Sequence, residues 1–161
     1  MSFTIRDMRK KDIPDVQRVA RTSWHETYES IIPLEVQDIF LKGAYSDQMM
    51  RKRLEKSYMF VAEVDGYIVG FANFSQVDDE GKTELSAIYL DPAHQGKGIG
   101  SALLKEGIHA LGKVKQIYID VEKDNELGRT FYTAKGFTVV AERDDDFFGH
   151  KLQTVRMVLH V

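Results

Sequence analysis

Apolar residues recur along the chain with two different periods, and this difference separates predicted helices from predicted strands. From residue 12 to 28 the apolar positions follow the period of a helix with one buried face. From residue 59 to 74 apolar residues dominate, which is typical of strands inside a sheet. The pattern predicts strands at residues 3–7, 59–64, 67–74, 84–90, 116–121, 138–141 and 152–160. It predicts helices at residues 12–28, 46–56, 98–111 and 125–135, with a further helical stretch between Pro33 and a break near Gly43.

The order of these elements predicts how the strands pair. Asp65-Gly66 stands between two apolar runs and predicts a hairpin, because glycine accepts the positive backbone angle that a two-residue turn demands. Strands and helices alternate from residue 83 to 140, which favours a parallel strand pair around a crossover helix. We therefore predict an α+β protein (α/β in looser usage) with a mixed sheet. The run Asp144-Asp145-Asp146 is expected in a loop between the last two strands.

Composition narrows the class of protein. With 161 residues, of which 43% are hydrophobic and 29% charged, the chain is expected to form one domain over residues 1–161. A formal net charge of -3 argues against a general nucleic-acid binder. The apolar runs are too short to span a bilayer, no secretion signal is expected, and cysteine is absent, which is compatible with a cytoplasmic protein. The five histidines are scattered, so we expect no metal site.

The most informative segment is a glycine-rich turn between a predicted strand and a predicted helix. It consists of Gln95-Gly96-Lys97-Gly98-Ile99-Gly100 and follows Asp91-Pro92. Glycines that open a helix leave backbone N–H groups and the positive end of the helix dipole facing one point, so a phosphate fits there. A plain tight turn is the alternative. The dinucleotide-binding fingerprint lacks its last glycine here, and a nucleotide P-loop needs Ser or Thr directly after Lys97.

Two motifs at the expected distance from each other resemble those of the GCN5-related N-acetyltransferase (GNAT) superfamily. The Gln/Arg-x-x-Gly-x-Gly/Ala signature has its fixed positions at Gln95, Gly98 and Gly100. The second half of the pattern consists of Asn125, Phe131-Tyr132 and Gly136-Phe137. The resemblance covers residues 59–140 by these motifs and the rest by topology. At its ends the chain loosely resembles bacterial polyamine acetyltransferases.

The resemblance implies a central sheet of about seven strands with helices on both faces. It implies that the sheet is splayed between strands 84–90 and 116–121, with acetyl-coenzyme A (acetyl-CoA) in the gap as co-substrate. Backbone groups near Ile88 and Leu90 would pair with the pantetheine arm. The amides of the glycine turn would hold the pyrophosphate. The expected cofactor-binding residues are Ile88, Leu90, Gln95, Gly96, Lys97, Gly98, Ile99, Gly100, Ser101 and Asn125.

Acetyl transfer to an amine requires that the ammonium lose a proton and that the leaving thiolate gain one. The family's general acid corresponds to Tyr132, for which a position at the edge of the core is the alternative. Glu84 lies eleven residues before Gln95, the spacing of the catalytic glutamate in the histone-acetyltransferase branch, and is the candidate base. Other branches place the base elsewhere or use a chain of water molecules.

Trp24 and Tyr28 lie one helical turn apart and are candidates for the acceptor site, with core packing as the alternative. Glu26 and Glu29 would join the three aspartates in attracting a small cationic amine such as a polyamine, while a solvated charge run is the alternative. The expected function is transfer of acetyl to a primary amine of a small molecule or peptide by direct attack, and a homodimer is compatible with it. The competing hypothesis is a non-catalytic acetyl-CoA sensor on the same fold.

Overall fold

A computed structural model describes residues 2–161. The strands are β1 (Thr4–Asp7), β2 (Tyr58–Val64), β3 (Tyr67–Phe74), β4 (Lys82–Leu90), β5 (Gln116–Glu122), β6 (Thr138–Phe147) and β7 (His150–His160). The helices are α1 (Ile13–Tyr28), α2 (Leu34–Ala44), α3 (Asp47–Lys56), α4 (Ile99–Leu111) and α5 (Glu126–Ala134). Short 3-10 turns lie at Lys10–Asp12 and Pro92–His94.

All seven strands form one sheet in the order β1-β2-β3-β4-β5-β7-β6. Neighbouring strands pair antiparallel except β4 and β5, which pair parallel. The predicted mixed sheet and the α+β class are therefore confirmed. The parallel pair is the place where the chain crosses over through α4, as the alternation of elements predicted.

The sheet separates two hydrophobic cores. Phe60 and Val61 are neighbours in β2, yet they point to opposite faces and belong to different cores. Helix α4 covers the face of Phe60, with Leu103 fully buried against it. Helix α1 covers the other face with a stripe that includes the fully buried Val16. Because both faces of β2 and β3 are covered, these strands are almost entirely apolar instead of alternating, with Glu63 and Asn73 as the exceptions.

Two tight hairpins shape the sheet, and the sequence indicated only the first. Asp65 and Gly66 have φ values of 51° and 82°, so the predicted turn is confirmed. Phe148 and Gly149, with φ values of 51° and 86°, form an equivalent turn between β6 and β7. The predicted loop at Asp144-Asp145-Asp146 is wrong, because β6 continues to Phe147. Pairing with β7 along its whole length overrides the low strand propensity of consecutive aspartates.

The break in the second helical stretch lies close to its predicted place. Gly43 lies inside α2, which ends one residue later, and Ser46 begins α3 by accepting a hydrogen bond from the N–H of Met49 at 3.2 Å. A serine in extended conformation is a favoured helix N-cap. The serine cap therefore decides where the new helix starts, whereas a glycine is tolerated within α2.

Candidate active site

A cleft opens where β4 and β5 part from each other. The two strands pair only from Lys82–Glu84 opposite Gln116–Tyr118. Beyond that point β4 keeps its partner β3 and β5 keeps its partner β7, so one edge of each strand is left without a neighbouring strand. The resulting cleft has a volume of about 450 Å³. Free backbone groups along these edges are available to a ligand that lies between the strands.

The glycine turn forms one end of this cleft. Gly96 and Gly98 have φ values of 76° and 83°, which residues other than glycine rarely adopt. Gly98 precedes α4 and no side chain caps the helix, so the N–H groups of its first turn remain available. A Cβ atom built on either glycine meets no protein atom within 4 Å, so both glycines border open space. Gly100 allows close packing of α4 on α5, since a Cβ there would lie 3.1 Å from Phe131.

Helix α5 brings Tyr132 to the cleft. Asn125 begins this helix by accepting a hydrogen bond from the N–H of Gly128 at 2.9 Å. Phe131 and Phe137 hold the Tyr132 ring from two sides, each with its ring centre 5.4 Å away. Burial, and then the nearby charge of Glu122, raise the pKa of Tyr132 above its ordinary value. The phenol therefore keeps its proton at neutral pH.

Helix α1 borders the cleft with Tyr28 but not with Trp24. Trp24 is buried in an aromatic cluster, stacked on Phe40 at 4.4 Å and on Phe147 at 6.0 Å. Tyr28, one turn later, is also buried but lines the cleft. The pairing of Trp24 with Tyr28 as two acceptor residues is therefore not supported by the structure, since Trp24 joins the hairpin of β6 and β7 to the helix.

A second contact fixes this hairpin. The Nε2–H group of His150 donates a hydrogen bond to the backbone carbonyl of Ile31 at 3.1 Å. The turn between β6 and β7 is thereby joined to the segment that follows α1. These contacts place the hairpin and the end of α1 on the same side of the sheet, beside the cleft.

Glu122 is the last residue of β5 and is not among the residues that line the cleft. Burial raises the pKa of its carboxyl group, and the interaction with the Tyr28 phenol only partly offsets this. The charge of Glu122 also reaches Tyr132. No sequence motif pointed to this residue. The available signal was the alternation of β5, in which Tyr118, Asp120 and Glu122 share the face opposite Ile119.

The same face of β5, β7 and β6 carries a ladder of charges, which we call the acceptor face. Asp120 binds Arg143 at 2.8 Å and Arg156 at 3.1 Å. Arg143 also binds Asp145 at 3.1 Å, and Thr154 donates a hydrogen bond to Asp145 at 2.5 Å. Partial burial acts to raise the pKa of Asp120, but hydrogen bonds from the two arginines outweigh it and hold that pKa below its ordinary value. Asp120 is therefore ionised at neutral pH.

Glu84 lies away from the tyrosines. Its carboxylate pairs with Arg156, whose guanidinium also lies over the Tyr118 ring at 4.7 Å from the ring centre. Glu84 lines a second cavity of about 380 Å³ together with Asp78 and Lys82, and not the cleft. The structure thus gives the residue predicted from motif spacing a cation as partner and places it outside the cleft.

Comparison with known proteins agrees with this geometry. Residues 18–137 match the model of the acetyltransferase (GNAT) family. The chain belongs to the GNAT family. It is 31% identical to the uncharacterized N-acetyltransferase YuaI of Bacillus subtilis over 94% of this chain and 90% of that protein. It is 29% identical to a spermidine N(1)-acetyltransferase of Thermoplasma acidophilum over 94% of this chain and 98% of that protein.

Solved structures agree as well. The PaiA N-acetyltransferase of Thermoplasma acidophilum, solved in complex with coenzyme A, superposes with a TM-score of 0.86. Its sequence is 26% identical, and the match covers 100% of both chains. This GNAT protein is therefore an acetyl-CoA-dependent N-acetyltransferase, and the hypothesis of a non-catalytic sensor is not favoured.

The residues of this GNAT chain fit acetyl-CoA. The uncapped start of α4 offers N–H groups to a phosphate, and the space beside Gly96 and Gly98 is open to it. The unpaired edge of β4 offers backbone groups to an extended arm. Nine of the ten predicted cofactor-binding residues line the cleft, namely Ile88, Leu90, Gln95, Gly96, Gly98, Ile99, Gly100, Ser101 and Asn125. Lys97 is exposed and does not line it.

Residues 2–161 were also searched for a metal-binding group and for a membrane-spanning helix. Within that range no group of three or more His, Asp or Glu side chains is arranged to hold a metal ion. No helix among the described residues is long and apolar enough to cross a membrane.

Proposed function

We propose that this GNAT enzyme acetylates a primary amine of a small polycation, with a polyamine as the fitting substrate class. The observation that carries the proposal is the acceptor face beside the cleft. Three carboxylates, those of Asp120, Glu122 and Asp145, lie there against two guanidinium groups, so this surface carries an excess of negative charge. An acidic cleft raises the local concentration of a cation and orients it.

The carboxylates of this face lie on different strands. Glu122 lies on β5, whereas Asp145 lies on β6, on the other side of β7. A substrate with two or more ammonium groups can place one near Glu122 and another near Asp145. A monoamine can use only one of these positions, and this difference favours a polyamine.

Aromatic side chains complete the acceptor site. Tyr28 and Tyr89 line the cleft on the side of α1. Aromatic faces attract cations and exclude water, so they suit the aliphatic and charged parts of a polyamine. Two relatives, from Thermoplasma acidophilum and Escherichia coli, are named spermidine N(1)-acetyltransferases, which supports the same substrate class.

Acetyl-CoA supplies the acetyl group and carries away the thiol. We propose that the cleft residues at the start of α4 hold its pyrophosphate and that Tyr132 protonates the leaving sulfur. A phenol whose pKa is raised above its ordinary value stays protonated and can give a proton to a thiolate, whose conjugate acid has a pKa of about 8.5.

The substrate class is tested by thiol release with spermidine and with a monoamine of similar length. Asp145→Asn removes a carboxylate from the acceptor face and leaves Arg143 with fewer partners. We expect the KM for spermidine to rise roughly threefold to tenfold, the effect of about 1 kcal/mol at an exposed charge. The KM for the monoamine should change less.

Asp146→Asn is the matched control, because strand alternation turns Asp146 to the opposite face of β6. This variant should behave like the wild type. Equal use of the two amines by the wild type, or equal effects of the two aspartate variants on spermidine, would refute the polyamine proposal.

A further inference from the structure

Among residues 2–161, the charged side chains that line the cleft are those of Asp120 on β5 and Lys135 directly after α5. Asp120 is bound by Arg143 and Arg156. Lys135 forms no ion pair with any carboxylate of the described residues. Its ammonium is therefore a positive charge in the cleft lining that is available to an anionic ligand.

Lys135 lies on the side of α5 that borders the cleft. Leu127, Phe131 and Lys135 follow one another at intervals of four residues, so they share one side of the helix, and all three line the cleft. The Nζ atom of Lys135 lies 5.8 Å from the centre of the Phe131 ring. The edge of this ring lies against Gly100 in the first turn of α4, where a Cβ atom would be 3.1 Å from it. The Lys135 ammonium is therefore held near the start of α4, on a ring that contacts both.

Coenzyme A offers two kinds of anionic group to such a site, a pyrophosphate and a separate phosphate on its ribose. The uncapped N–H groups at the start of α4 suit the pyrophosphate. Because Phe131 fills the space beside Gly100, the Lys135 ammonium is placed to meet a different anionic group from the one that these N–H groups hold. A lysine binds a phosphate as a point charge, which suits a single phosphate on a ribose.

We propose that Lys135 binds the ribose 3′-phosphate of acetyl-CoA and thereby selects this carrier over one that lacks the phosphate. Lys97, the lysine of the glycine turn, is exposed and does not line the cleft, so it does not compete for this role. The inference rests on the proposed placement of the pyrophosphate at the start of α4. It does not depend on the nature of the acceptor amine.

Calorimetry with coenzyme A and with 3′-dephospho-coenzyme A tests the assignment, because these ligands differ only in the ribose phosphate. The wild type should bind coenzyme A roughly threefold to tenfold more tightly, which is the size of one exposed charge interaction. Lys135→Met removes the charge and keeps a long side chain, so it should abolish this preference and leave the Kd for 3′-dephospho-coenzyme A unchanged. Lys135→Arg should restore the preference. Added salt should reduce it in the wild type, since salt screens an exposed charge.

Lys113→Met is the matched control, since Lys113 is exposed, lies beyond the other end of α4 and does not line the cleft. This variant should keep the wild-type preference. Absence of the preference in the wild type, its persistence in Lys135→Met, or its loss in Lys97→Met would each overturn the assignment. An equal rise of both Kd values in Lys135→Met would also overturn it, because a packing role affects both ligands alike.

The placement of the pyrophosphate can fail separately from the assignment of Lys135. In that case Gly98→Val would bind 3′-dephospho-coenzyme A as tightly as the wild type does, because this ligand retains the pyrophosphate. The role of Lys135 is measured by the difference between the two ligands, in which the pyrophosphate cancels. The two failures are therefore distinguishable.

Discussion

The cofactor side of the cleft uses backbone, whereas the acceptor side uses side chains. On the cofactor side, the start of α4 and the edge of β4 offer N–H and carbonyl groups, and glycines keep the space beside them open. On the proposed acceptor side, carboxylates and phenols come from α1, β4, β5 and β6. A short local motif can therefore specify the cofactor side. The acceptor side forms only when residues that are distant in the sequence come together in the fold.

The largest effect on this comparison is expected from replacing Tyr132, the side chain that we propose as the general acid. Tyr132→Phe should lower kcat by roughly a hundredfold or more, because a general acid is lost. Affinity for acetyl-CoA, measured by calorimetry, should stay nearly unchanged, since the backbone sites remain. Tyr67→Phe, on the exposed first hairpin, serves as the control. Near-normal turnover of Tyr132→Phe would return this tyrosine to a packing role.

A smaller effect is expected when backbone geometry on the cofactor side is altered. Gly98→Val places a branched side chain at a φ of 83° and into the open space of the cleft. We expect the Kd for acetyl-CoA to rise at least about tenfold, because the valine side chain occupies space into which the phosphates must come close to the backbone.

Gly112→Val is the matched control for this change. Gly112 lies at the other end of α4 with a φ of 68°, and open space surrounds it as well. Both variants should lose thermal stability, but only Gly98→Val should bind acetyl-CoA more weakly. Equal affinities in the two folded variants would contradict the assignment of the turn.

The smallest effect is expected at Glu84. Glu84→Gln breaks a partly exposed pair with Arg156, and such pairs contribute about 0–1 kcal/mol to stability. We expect kcat to fall by less than about threefold, with an unchanged pH profile, because Glu84 pairs with Arg156 outside the cleft. If Glu84 were the base, the rate of this variant would instead fall steeply at low pH, where the amine needs help to lose its proton.

Two catalytic candidates, Tyr132 and Glu84, show how much of the site could be predicted from the sequence. Tyr132 follows from a motif, and the structure places it in the cleft because Asn125 caps the helix that carries it. Glu84 follows only from its distance to Gln95, and the structure turns it toward Arg156, which lies 72 residues later in the chain. The distance between two residues in the sequence predicts the position of Glu84 along its strand. It does not predict that a charged residue from another strand will pair with it.

The sequence by itself determined the class of fold, the first hairpin, the glycine turn and the helix of Tyr132. Each depends on neighbouring residues, because period, turn angle and capping are local properties. Tertiary structure alone decided that Asp144-Asp145-Asp146 lies in a strand, that Trp24 packs in a core, and that Glu84 pairs with Arg156. Strand pairing, burial and charge environment depend on residues far apart in the chain, which only the folded sheet brings together.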